Sequence, residues 1–194
     1  MKIGIDLDGV VIDSETTFRT FEEIYDIDVL KQNNLVDRTE PKFQSRYNWN
    51  AEQQKNFCKR YFLQVSRESN LMSGFIAIYN RLKKQGHEFV VITARGLMPD
   101  GSFMKEMEDD AKRVLNENGI LFDKYYWGQK DKLEVCLKEN IGIMIDDDWR
   151  IIKKLSDNSI KTLYFRDTNL KKLEETEYIS EVNNWGDIYR KINS

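Results

Sequence analysis

The chain opens on Met1-Lys2-Ile3-Gly4-Ile5-Asp6-Leu7-Asp8-Gly9-Val10, a short apolar strand running into two carboxylates and a glycine. Residues two apart on a strand share a face. A strand from Lys2 to Leu7 therefore sets the Asp6 and Asp8 carboxylates side by side. Such neighbours repel unless a cation neutralises them or one keeps a proton. A turn accounts for one Asp and a Gly, but not for two acids at same-face spacing.

Three more polar groups occupy equivalent places. Thr93-Ala94-Arg95-Gly96 follows the apolar run Phe89-Val90-Val91-Ile92. Lys132 lies after Tyr125-Tyr126-Trp127, at a helix start, and Asp146-Asp147-Asp148 follows Ile141–Ile145. Each is ambiguous alone: Asp148 also reads as a helix N-cap, and Lys130 rivals Lys132. In an open parallel sheet, however, ligands bind beyond the carboxyl ends of the strands, so the four groups converge.

Their types suit phosphoryl transfer. An Asp carboxylate can attack phosphorus and form an aspartyl-phosphate. Mg²⁺, which takes hard oxygen ligands, lets an anionic nucleophile approach an anionic phosphate, and Asp6 and Asp146 can supply ligands. Asp8 can protonate the leaving oxygen and then deprotonate the attacking water. Thr93 offers a hydroxyl and an N–H to phosphate oxygens, and Lys132 a point charge.

The elements that position these groups alternate. Strands at Lys2–Leu7, Phe89–Ile92, Tyr125–Trp127, Ile141–Ile145 and Ile160–Phe165 are separated by helical patterns, and a last helix carries Trp185, Ile188, Tyr189 and Ile192. That order predicts an α/β fold, a doubly wound (Rossmann-like) parallel sheet with helices on both faces. Residues 14–72 break the rhythm, with Phe18, Phe21 and Tyr25 on one helical face and an Asn50/Gln53 capping box opening another helix. So long a stretch is too large for a loop. It reads as a small helical cap inserted after strand one, over a core formed by residues 1–13 and 73–194. Gly96 to Ser102 reads either as a mobile loop beside the site that takes part in closure or as a rigid surface loop.

The totals narrow the classes. A chain of 194 residues, 40% hydrophobic and 32% charged with net charge -3, has a sizeable core and no basic field for nucleic acid. Two distant cysteines, Cys58 and Cys136, read as reduced thiols of a cytoplasmic protein. The first residues lack the apolar stretch of a secretion signal, and no run is long enough to span a membrane. His87 is the single histidine, which excludes multi-histidine metal sites.

In the order and spacing of Asp6-Leu7-Asp8-Gly9-Val10, Thr93, Lys132 and Asp146-Asp147, the chain resembles the phosphatase branch of the haloacid dehalogenase superfamily over nearly its whole length. The resemblance implies a nucleophile at Asp6, a general acid/base at Asp8 and phosphate ligands at Thr93 and Lys132. It implies Mg²⁺ held by Asp6, the main-chain carbonyl of Asp8, and Asp146, with Asp147 assisting, and it matches the insertion to the superfamily's helical cap. The short cap and Asp131-Lys132 are most similar to the deoxyribonucleotidase-like (5'-nucleotidase) group. There Thr-Ser-Pro is usual where this chain has Thr93-Ala94-Arg95, and Arg95 makes the phosphate pocket more basic.

The expected activity is hydrolysis of a nucleoside monophosphate, with Phe18, Tyr47 and Trp49 as candidates to touch substrate and Ala94 and Arg95 beside its phosphate. Arg46 could read an anionic or carbonyl group, although a solvated side chain is the favoured reading. A sugar phosphate or other small phosphorylated metabolite is the alternative substrate. A phosphate-binding receiver module is disfavoured because Lys132 precedes Asp146-Asp147. A dehalogenase is disfavoured because it needs no such acidic cluster.

Overall fold

The computed structural model describes residues 1–167 and 170–194. Six strands form one sheet in the order β3-β2-β1-β4-β5-β6. They are β1 (Lys2–Ile5), β2 (Glu88–Ile92), β3 (Lys124–Tyr126), β4 (Ile143–Asp146), β5 (Thr162–Phe165) and β6 (Ile179–Val182). Every neighbouring pair is parallel, as the alternation predicts.

Both faces of the central strands are covered, so their sequences are apolar throughout. Ile3, Ile5, Phe89, Val91, Ile145 and Leu163 pack toward helices α4 (Phe75–Lys84), α5 (Lys105–Glu117) and α8 (Trp185–Asn193). Val90, Ile92 and Met144, offset by one residue, meet α6 (Leu133–Glu139) and α7 (Trp149–Ser156) on the other face. Gly4 belongs to that second set. A Cβ there would stand 2.7 Å from the Met144 sulfur, so the Met144 side chain of β4 fills the space over Gly4.

The chain between β1 and α4 forms α1 (Ser14–Glu23), a π-helical turn (Ile24–Val29), α2 (Phe43–Arg46) and α3 (Ala51–Glu68). Asp13 caps α1, and Asn50 and Gln53 form the expected reciprocal box at the start of α3. These helices enclose an aromatic core of their own. Phe57 is fully buried among Tyr25, Phe43, Trp49, Tyr61 and Phe62. Met107 of α5 joins that cluster and seats the helices on the sheet domain.

The structure departs from the sequence pattern in two places. β6 was not expected, because Ile-Ser-Glu-Val at a sheet edge buries only its two ends and shows no apolar run. β1 ends at Ile5, before Asp6, so the side-by-side placement of Asp6 and Asp8 on a strand does not occur.

Trp185 of α8 is buried against Phe75 and donates its indole N–H to the Val10 carbonyl at 3.0 Å. It thus holds the loop behind Asp8. Trp185→Ala is expected to lower the unfolding free energy by about 3–5 kcal/mol, the usual cost of truncating a buried aromatic, read by urea denaturation.

Candidate active site

After Ile5 the chain makes one more sheet bond, from the Asp6 amide to the Ile145 carbonyl (3.0 Å), and then coils on itself. The amides of Val11 and Ile12 converge on the Leu7 carbonyl at 2.9 and 2.8 Å. Gly9 sits in the left-handed region (φ +74°), and a Cβ there would fall 2.0 Å from an Asp147 carboxylate oxygen. Only glycine permits both that backbone angle and the approach of Asp147.

β1 and β4 are neighbours at the point where the strand order reverses, the position where doubly wound sheets open a crevice. Asp6 leaves β1 there, and Asp146 ends β4. Lys132 precedes α6 and lies buried between them, its Nζ 2.8 Å from Asp6 Oδ1 and 2.6 Å from Asp146 Oδ2. The other Asp146 oxygen accepts the Asp148 amide at 2.9 Å. Asp148 caps α7 and pairs with Arg150 (2.9 Å) and Lys42 (3.3 Å). Thr93 is buried at the end of β2, its amide bonded to the Tyr126 carbonyl and its hydroxyl accepting the Arg95 amide at 3.1 Å.

Burial raises the proton affinity of Asp6 even though Lys132 opposes it, and the Asp8 charge adds to the rise. Asp146 is raised for the same reason, with Lys132 opposing and Asp6 reinforcing. Asp147 is raised well above the carboxylate range by desolvation and by the charges of Asp146 and Asp6. Burial lowers the proton affinity of Lys132, but Asp146 and Asp6 outweigh it and hold the ammonium above its ordinary range. One cation among three acids leaves a local negative excess.

Ligand oxygens of Asp6, Asp146 and Asp147 lie within 4.8 Å of one another. An all-oxygen, net-negative set of that span suits a hard divalent cation such as Mg²⁺. The donors fit the ion that the sequence implies.

A cleft of about 210 Å³ opens above this cluster, its floor made by Asp6, Asp8, Thr93, Ala94, Arg95, Lys132, Asp146 and Asp147. Phe18 also lines it, from the cap. Lys130 reaches only the exposed rim, while Lys132 takes the buried position. Two expectations are corrected. Tyr47 and Trp49 do not face the cleft. They stack on each other at 4.5 Å inside the cap core, where the Trp49 indole donates to Asp26 at 2.8 Å. Burying two large rings in the cap's small core outweighs exposing them to a ligand. Arg46 is not solvated but buried at the cleft's upper wall, with Glu15 and Glu22 on its guanidinium nitrogens.

Glu15, Glu22 and Arg46 were missed as lining residues. Glu15 and Glu22 share the helical stripe of Phe18 at i, i+3 and i+7, and that was the available signal. The Gly96–Ser102 segment is a hydrogen-bonded turn, with the Met98 amide donating to the Ser102 carbonyl at 2.8 Å.

No protein-family model matches the sequence, and no curated protein matches it. Solved structures match in fold. A haloacid dehalogenase-like family hydrolase from Streptococcus pneumoniae superposes with a TM-score of 0.71 at 15% identity, over 98% of this chain and 97% of its own. A predicted phosphatase from Clostridium acetobutylicum gives 0.67 at 18% identity, over 99% and 97%. CbbY from Rhodobacter sphaeroides, solved with xylulose-(1,5)bisphosphate, gives 0.63 at 12% identity, over 96% and 95%. The structural neighbours include haloacid dehalogenase-like hydrolases, and the Rossmann-like fold is shared with them.

Mg²⁺ is expected to raise the melting temperature of the wild type and to leave Asp146→Asn unchanged, read by thermal unfolding. The raised carboxylate affinities mean that the folded cluster takes up protons which the unfolded chain does not. Without metal, its contribution becomes more favourable as pH falls, while protons displace Mg²⁺. The Mg²⁺ shift should therefore be larger at about pH 8 than at about pH 6. Lys132→Met, which strands two buried carboxylates, should cost about 3–5 kcal/mol in metal-free urea unfolding at the higher pH.

Proposed function

We propose that this protein is a Mg²⁺-dependent phosphomonoesterase that works through an aspartyl-phosphate on Asp6. The observation that carries the reading is the placement of Lys132 between Asp6 and Asp146, with Asp147 completing a cluster of hard oxygen donors. Asp6, Asp146, Asp147 and the Asp8 carbonyl would hold the cation. When bound, it would offset the charge of the carboxylates and of the phosphate.

The protein's own groups then divide the work. Lys132 keeps Asp6 in place and faces the phosphate with positive charge. Thr93 presents its hydroxyl to a phosphate oxygen. Asp6 forms the new P–O bond as the bond to the leaving oxygen breaks, and Asp8 gives that oxygen a proton. Asp8 next takes a proton from water as the water oxygen attacks phosphorus. The Asp6–phosphorus bond breaks, and inorganic phosphate departs with both carboxylates restored.

The leaving group is proposed to be a small hydroxylated compound, as in a sugar phosphate. Recognition of a nucleoside would draw on cap aromatics, yet Tyr47 and Trp49 are committed to the cap core. The upper wall is polar instead. Glu22 has a buried carboxylate oxygen, and Arg46 a buried Nε, neither with a hydrogen-bond partner among the described residues. Substrate hydroxyls can satisfy such an acceptor and donor, which are costly to leave unpaired.

Phosphate release from a panel of sugar phosphates and nucleoside monophosphates tests this. Sugar phosphates should be preferred. Asp6→Asn should lose at least about a thousandfold in kcat, and Asp8→Asn about 10²–10⁴-fold. EDTA should abolish turnover and Mg²⁺ restore it. Turnover that persists in EDTA would overturn the metal-assisted reading. Preference for nucleoside monophosphates would restore the nucleotide substrate.

A further inference from the structure

Arg95, expected beside the phosphate from its place after Thr93, lines the cleft with its guanidinium engaged by protein groups. Its guanidinium is buried and divided three ways: Nη1 donates to Asp8 Oδ1 at 2.5 Å, Nη2 to the Ser66 hydroxyl at 2.6 Å, and Nε to the Met107 carbonyl at 2.9 Å. These partners belong to three separate parts of the fold. Asp8 is in the loop after β1, Ser66 is on cap helix α3, and Met107 is on α5, where the sheet domain meets the cap core.

Asp8 needs such an anchor. Its side chain is 29% exposed, and among the described residues no other side chain is seen to hold it. An unanchored carboxylate on a loop rotates into solvent. Arg95 holds Oδ1, and Asp8 lines the cleft. The Arg95 amide rests on the Thr93 hydroxyl, so the guanidinium itself starts from a fixed backbone. A planar fork with separate donors can serve three acceptors in different directions, and an ammonium on a flexible stem cannot.

We propose that Arg95 is a positioning residue: it holds Asp8 at the leaving oxygen and makes that placement depend on the seated cap through Ser66. The proposal rests on the phosphomonoesterase reading above. Proton delivery to the leaving group is then competent only with α3 docked, when Ser66 and Met107 both fix the guanidinium. This ties the acid/base step to closure over the substrate, where bulk water is kept from the aspartyl-phosphate.

The test compares an alkyl phosphate with dinitrophenyl phosphate, whose leaving group departs without a proton. Arg95→Gln should lower kcat on the alkyl phosphate by about a hundredfold. On dinitrophenyl phosphate the first chemical step should stay within about threefold of wild type. Acid quench should then trap phosphoenzyme on Asp6, because its hydrolysis still needs Asp8 as base. Arg95→Lys should not rescue either effect, since charge without the fork does not hold Asp8. Ser66→Ala keeps the Arg95–Asp8 pair and loses only one hydroxyl. It should lower alkyl phosphate kcat by about three- to tenfold with the same selectivity.

Equal losses on both substrates without trapped phosphoenzyme would overturn the proposal. So would an Arg95→Gln variant that raises KM alone, which would put Arg95 on the phosphate. Should Arg95→Gln not fold, Ser66→Ala decides: wild-type rates on both substrates overturn the coupling. Wild-type protein inactive on every phosphomonoester would overturn the function reading and this proposal together, whereas an active wild type with a uniform loss in the variants overturns only the role of Arg95.

Discussion

Three crowded carboxylates, two of them paired with one buried ammonium, set the terms for the rest of the molecule. Asp6, Asp146 and Asp147 repel, and Lys132 neutralises only part of their charge. Such a cluster persists only where surrounding structure holds the groups in place. Here the scaffold is the pairing of β1 with β4, the coil of hydrogen bonds onto the Leu7 carbonyl, and Gly9, whose missing side chain gives Asp147 its room. A divalent cation held by these oxygens would relieve the remaining negative excess.

The cap is joined to this centre by charge as well as by apolar packing. Asp8 is balanced by Arg95, whose other donors reach Ser66 and Met107, and Asp148 is balanced by Lys42 and Arg150. Acidic side chains beside the cleft thus find cations on more than one element. The cap's aromatic core contributes rigidity, so that α1 presents Glu15, Phe18 and Glu22 as one wall. A wall of buried charges would select by hydrogen bonding, which discriminates more sharply than apolar contact because a wrong partner leaves groups unpaired.

Much of the scaffold was legible beforehand. The continuous apolar runs of β2 and β4 announced strands covered on both faces, and Asn50 with Gln53 announced the start of α3. β6 was hidden because an edge strand need bury few residues, so Ser180 and Glu181 mask it. Tyr47 and Trp49 were misread because an aromatic in an irregular segment carries no period to say which way it faces. Arg46 was misread because a buried Arg is inferred only from its partners. Glu15 and Glu22 are remote in sequence and become partners only when α1 packs beside α2.

The sequence by itself determined the parallel α/β order and the chemical types at the strand ends, Asp6, Thr93, Lys132 and Asp146. Apolar periodicity is local, and the rule that ligands gather at the carboxyl ends of parallel strands needs only the order of elements. Tertiary structure alone decided which carboxylates share a cation, which aromatics face the cleft and where Arg95 places its donors. Those outcomes depend on distances between residues far apart in the chain. Asp8 and Arg95 are 87 positions apart yet hydrogen-bonded, and no local pattern in either segment encodes the meeting.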